Sequence, residues 1–82
     1  MDTVLSILIE HGYNAINPCS NCVEIIGNDN RSIIARFILS DGKLRFTLGL
    51  NPSKELQPLT RTNLLTVARL ATVLYQTSKE NR

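Results

Sequence analysis

The stretch ILSDGKLRF, Ile38 to Phe46, decides the fold. Asp41-Gly42 stands between two alternating runs, among the strongest short-range signals for a two-residue β-hairpin. Such a turn needs left-handed backbone, which Asp tolerates and Gly adopts freely. A two-residue loop here puts Leu39 opposite Leu44 and Phe37 opposite Phe46. Cross-strand partners share a sheet face, so both phenylalanines fall on one side.

Working outward, period-two alternation covers Asn14 to Leu50 and is broken twice more, at Ser20-Asn21 and at Asn28-Asp29-Asn30. Four strands follow: 15–19, 22–27, 31–40 and 43–50. A two-residue loop at Ser20-Asn21 pairs Cys19 with Cys22, Asn17 with Glu24 and Ile16 with Ile25. A three-residue loop at 28–30 pairs Ile25 with Ile33 and Val23 with Ala35. One face then collects Ile16, Val23, Ile25, Ile33, Ala35, Phe37, Leu39, Leu44, Phe46 and Leu48. A one-residue slip in any hairpin breaks that set.

The flanks read as helices. In Asp2 to His11, Val4, Leu5, Ile7, Leu8 and Ile9 form one broad apolar side; Asp2 is placed to cap the start and Gly12 to end the helix. Asn51 to Leu59 holds Pro52 and Pro58 and reads as a connector. From Thr60 to about Ser78, Leu64, Val67, Ala68, Leu70, Ala71, Leu74 and Tyr75 form an apolar arc, with Thr60 or Thr62 as cap and SKENR as a frayed end. The expected architecture is a single α+β domain over residues 1–82. It is a two-layer sandwich in which a four-stranded antiparallel meander carries an N-terminal and a C-terminal helix on one face, in the order α-β-β-β-β-α.

Composition bounds the function. The chain has 82 residues, 43% of them hydrophobic and 20% charged, an ordinary globular balance. No apolar run reaches the roughly 18 residues of a membrane span. The N-terminus carries Asp2 and lacks a basic segment before its apolar patch, so no signal peptide is read there and a cytoplasmic location is expected. The net charge is +2, milder than the dense basic cluster of a dedicated DNA binder. A compact chain of this kind also suits, by analogy, an accessory protein of a phage or other mobile element.

The opposite sheet face is the candidate site. The expected register places Ile26, Ile34 and Ile38 there among Arg36, Lys43 and Arg45. A solvated antiparallel face ordinarily alternates to polar, so isoleucines among cations mark a binding surface for a protein partner or a second copy of the chain. The plainer alternative is a strand surface with scattered β-branched residues, its arginines solvated or paired with Glu24. On the last helix, Leu65, Arg69 and Val73 lie on the outer side and suggest a dimer contact. Nucleic-acid binding is the rival function. It has cations on this face, with Arg31 beside them, but no stacking platform, because Phe37 and Phe46 are assigned to the core.

Cys19-x-x-Cys22 is the one motif with chemical content. A structural zinc site needs four ligands, and a single Cys pair with His11 supplies too few, leaving a zinc shared between subunits as an alternative. A thioredoxin-like pair needs a helix after its first cysteine, whereas a strand follows here. A cross-strand Cys19–Cys22 disulfide is sterically conceivable, but an intracellular setting keeps most thiols reduced, so the two thiols are read as strand residues beside a turn, with Cys22 facing Arg36 and gaining some reactivity from it. The glycines are isolated and the carboxylates scattered, so no catalytic residue, metal ligand, cofactor or small-molecule substrate is assigned, and the chain is not read as an enzyme.

Overall fold

Helix α1 (Asp2–Glu10) leads into strands β1 (Ala15–Cys19), β2 (Cys22–Ile26), β3 (Ile33–Ser40), β4 (Lys43–Leu48) and β5 (Lys54–Glu55), and helix α2 (Arg61–Glu80) follows. The computed structural model describes residues 1–49 and 51–80, without the side chains of 78–80. Leu50, expected at the end of the fourth strand, and Asn81 and Arg82 of the terminal SKENR lie outside the described residues. The five strands form one antiparallel sheet in sequence order. The α+β class is as expected. The addition is β5, two residues of the proline-containing connector that pair with Arg45 and Phe46.

The Asp41-Gly42 hairpin forms as read. Asp41 (φ 53°) and Gly42 (φ 74°) are both left-handed, and Leu39 pairs with Leu44 and Phe37 with Phe46. Val23, Ile25, Phe37, Leu44 and Leu48 face both helices and share one core with Val4, Leu8, Leu64, Val67, Ala68 and Ala71. Both helices therefore lie on the same side of the sheet. Thr60 caps α2 by accepting a 3.1 Å bond from the Asn63 amide. Asp2 does not cap α1. It is the first helical residue, and Met1 stands at the cap with no side-chain bond, so Asp2 contributes only a negative charge at the positive end of the helix dipole.

Two bulges change the register of the other hairpins. In β1, Cys19 pairs with Cys22 as expected, but Ile16 pairs with Glu24 and Ala15 with Ile25. The extra residue lies in Asn17-Pro18. Pro18 has no N–H for the ladder, and the Asn17 amide donates to the carbonyls of Cys19 (2.7 Å) and Cys22 (2.5 Å). Ile16 is therefore moved off the core face and Ala15 onto it. In β3, Val23 pairs with Phe37 and Ile25 with Ala35, two residues from the expected partners and so on the same face; Ile26 then pairs with Ile33, leaving Ile34 as the inserted residue. Beyond the bulge the faces exchange. Ile34 is 8% exposed and belongs to the core, whereas Ile33 is 44% exposed.

Two further assignments are corrected. Leu39, next to the turn, is partly exposed at the far end of the sheet. On α2, Leu64, Val67, Ala68 and Ala71 are buried, but Leu70 and Leu74 are exposed. These two overhang a groove of about 350 Å³ that they share with Phe46, Leu48 and Pro52. Alanines at 68 and 71 form the contact in their place.

Gly27 is buried against Tyr75. A Cβ there would lie 2.7 Å from the Tyr75 hydroxyl oxygen and 2.8 Å from Cζ. Gly27→Ala is expected to lower unfolding free energy by about 1–3 kcal/mol, the usual range for overpacking. In a Tyr75→Ala background the same change is expected to cost clearly less, because the two sites couple directly. Urea unfolding of the four-variant cycle checks this, and equal costs in both backgrounds would contradict the contact.

Candidate functional site

The face turned away from the helices is built by cross-strand rows. Ile16, Glu24, Arg36 and Thr47 form one row; Cys22, Ile38, Arg45 and Glu55 form the next; Ile26 and Ile33 form a pair beyond the bulge. Of the six residues expected here, Ile26, Arg36, Ile38, Lys43 and Arg45 are present. Ile34 is absent, because the bulge turns it into the core. Ile33 and Ile16 occupy the face instead, so the apolar surface survives with different members. It comprises exposed Ile16 and Ile33 and half-buried Ile26 and Ile38.

The cations are largely engaged. Arg36 Nε donates to Glu24 Oε2 at 2.8 Å. Glu24 is buried, and a buried carboxylate needs such a partner. Lys43 Nζ lies 3.8 Å from Glu55 Oε1. The Arg45 guanidinium reaches the Ser53 hydroxyl and carbonyl at 3.2–3.3 Å. Among these five charged residues three are positive and two negative, so the face is only weakly cationic. Its aromatic content is nil: Phe37 is buried, and Phe46, Tyr13 and Tyr75 pack against the core. No base-stacking platform exists on this face among the described residues.

The cysteines differ in environment. Cys19 is exposed and Cys22 buried, and neither is in a disulfide. Cys22 lies opposite Ile38, not Arg36. Burial first, then Cys19 and Glu24, push its thiol pKa up; Arg36 opposes them more weakly. The expected pairing of Cys22 with Arg36 is therefore corrected, and the modest gain in reactivity read from it has no such partner. His11 has its Nδ1 2.9 Å from the Ile7 carbonyl at the end of α1. Among the described residues, no three His, Cys, Asp or Glu side chains are grouped to hold a metal.

On α2, Arg69 and Val73 are exposed as expected, but Leu65 is half-buried. The exposed stripe is Leu70, Val73 and Leu74, at 48%, 50% and 43%. Among the described residues, no helix is long and apolar enough to cross a membrane. Compared with family models, curated proteins and solved structures, the chain matches none of them.

The bulge that exposes Ile33 is reached through the Gly27–Ser32 loop, and Asp29 organises that loop. Its carboxylate accepts bonds from the amides of Arg31 (3.0 Å) and Ser32 (2.9 Å) and from the Ser32 hydroxyl (2.7 Å). These bonds lower its pKa from 3.8 to about 2. A depressed carboxylate stabilises the fold fully above its unfolded pKa and loses that contribution as pH falls through the folded value. The Arg31 and Ser32 amide resonances are expected to titrate with a midpoint near 2 and to lose that transition in Asp29→Asn. NMR measures both; a midpoint at 3.8 would contradict the bonded loop.

Proposed function

We propose that this chain is a non-enzymatic binding module that docks a protein, either a different protein or a second copy, through its outer sheet face. The observation that carries the reading is the isoleucine surface Ile16, Ile26, Ile33 and Ile38, placed by strand pairing on the outer face, with Ile26 and Ile33 at its end also bordering cavities beside Tyr75 of α2. Each such side chain contributes roughly 1.5–3 kcal/mol when fully buried. The charges on this face suit burial under a partner, because Glu24 already has Arg36 and a covering surface strands neither. Lys43 and Arg45 are exposed; they supply modest steering toward an acidic surface, which acts on association rate more than on affinity. The stripe at Leu70, Val73 and Leu74 offers a separate contact for a second copy.

Paired substitutions test the reading. Ile33→Asp with Ile38→Asp is expected to abolish association while circular dichroism and the thermal midpoint stay near wild type. Ile34→Asp, one residue away, is expected to unfold the chain, because it places a carboxylate in the core. Size-exclusion with light scattering reads self-association, and capture from the native host with wild type and the double variant reads a foreign partner. Unchanged association in the folded double variant would overturn the proposal. A gel shift that weakens steeply with salt and depends on Arg36 and Arg45 would replace it with nucleic-acid binding.

A further inference from the structure

The first hairpin holds two thiols in a relation that the proposed binding role does not use. Cys19 and Cys22 are direct cross-strand partners on either side of the Ser20-Asn21 turn. Directly opposed antiparallel residues have Cα atoms about 4.5–5.5 Å apart, inside the roughly 4.4–6.8 Å that a disulfide spans. The Asn17 side chain bonds the carbonyls of both cysteines, so the two backbones are held together before any sulfur chemistry. The thiols are also unequal in access. Cys19 is exposed, with Sγ donating to Asn21 Oδ1 at 3.3 Å, and Cys22 is buried beside it.

We propose that Cys19 and Cys22 are a thiol-oxidation site, closing reversibly into an intramolecular disulfide across the β1–β2 turn. The oxidant is a low-molecular-weight disulfide such as oxidised glutathione. The Cys19 thiol loses its proton to solvent, and the thiolate attacks one sulfur of the oxidant, releasing one small thiol and forming a mixed disulfide. Cys22 loses its proton and attacks Cys19 Sγ, releasing the second small thiol. Two protein S–H groups become one S–S bond and one small disulfide becomes two thiols, so the exchange balances. The order follows from access: the exposed sulfur meets the reagent and the buried one resolves the adduct. The raised pKa of Cys22 slows its attack on an external reagent and on the mixed disulfide alike, so the order rests on access and not on acidity. The exchange itself needs no partner; because Cys22 shares its cross-strand row with Ile38 and Arg45, it is measured on the unbound chain.

Incubation of the reduced, folded chain with mixtures of reduced and oxidised glutathione tests the proposal, with intact-mass spectrometry after alkylation of free thiols. The expected product has lost two hydrogens, takes up no alkyl label, carries no glutathione, runs as a monomer on a non-reducing gel and reverts with dithiothreitol. Cys22→Ser is expected to trap one glutathione on residue 19, and Cys19→Ser to leave Cys22 unmodified until denaturant is added. Persistent labelling of both thiols in oxidised glutathione would overturn the site. So would a lasting glutathione adduct on the wild type, or a disulfide-linked dimer as the main product.

Discussion

One inserted residue governs which surface this domain presents. Strand β3 carries Ile33 and Ile34 side by side, chemically identical and opposite in fate. The bulge against β2 assigns Ile34 to the core with Ala35 and leaves Ile33 outside with Ile26. A regular ladder would exchange them. The bulge in turn depends on where the preceding loop releases the chain, and that point is set by Asp29 and by the close pairing of the Gly27 amide with the Ser32 carbonyl at 2.7 Å. A polar loop thus selects the apolar face. Bulges are local, but their effect on side-chain facing propagates to the strand end.

The centre of the outer face carries a different constraint. Glu24 sits on β2, the second of the five strands, flanked across the sheet by Ile16 and Arg36, and is buried despite lying on the side without helices. A carboxylate in that position needs a cation, and Arg36 supplies one through Nε at 2.8 Å. Arg36 is half exposed, so solvent screens the pair and its contribution to folding is modest. Its consequence for the proposed docking is larger. A surface that covers this pair must tolerate a fixed dipole between isoleucines, which selects against a purely apolar contact without leaving an isolated charge.

How much of this was legible in the residues varies by hairpin. The Asp41-Gly42 turn was fully readable, because a two-residue left-handed turn admits one register. The first hairpin was readable at Cys19 and Cys22 and not beyond, since Pro18 removes a ladder donor and the chain compensates through the Asn17 side chain, a contact that no alternation pattern encodes. The second hairpin preserved its face at Val23 and Ile25 only because the pairing moved by two residues, an even number. It lost Ile33 and Ile34 because Gly27 to Ser32 forms a six-residue connection whose inner hydrogen bonds the pattern does not show. On α2 the periodicity marked an apolar arc wider than the sheet could cover. Leu70 and Leu74 belong to that arc but hang over β4 and the narrow β5 edge.

Among the described residues the domain consequently exposes an apolar sheet surface and an apolar helix stripe, and they are physically unlike. On the sheet, Ile26, Ile33 and Ile38 are β-branched residues held on a hydrogen-bonded ladder. Few rotamers are open to them, and little conformational freedom remains to be lost on docking. On α2, Leu70 and Leu74 are γ-branched side chains over an open groove, and of the exposed stripe only Val73 is β-branched like the isoleucines. For equal area buried, the sheet face starts closer to its bound state. That difference in preorganisation, rather than the amount of exposed hydrocarbon, is why the sheet face is the stronger candidate for specific recognition and the helix stripe for a looser self-contact.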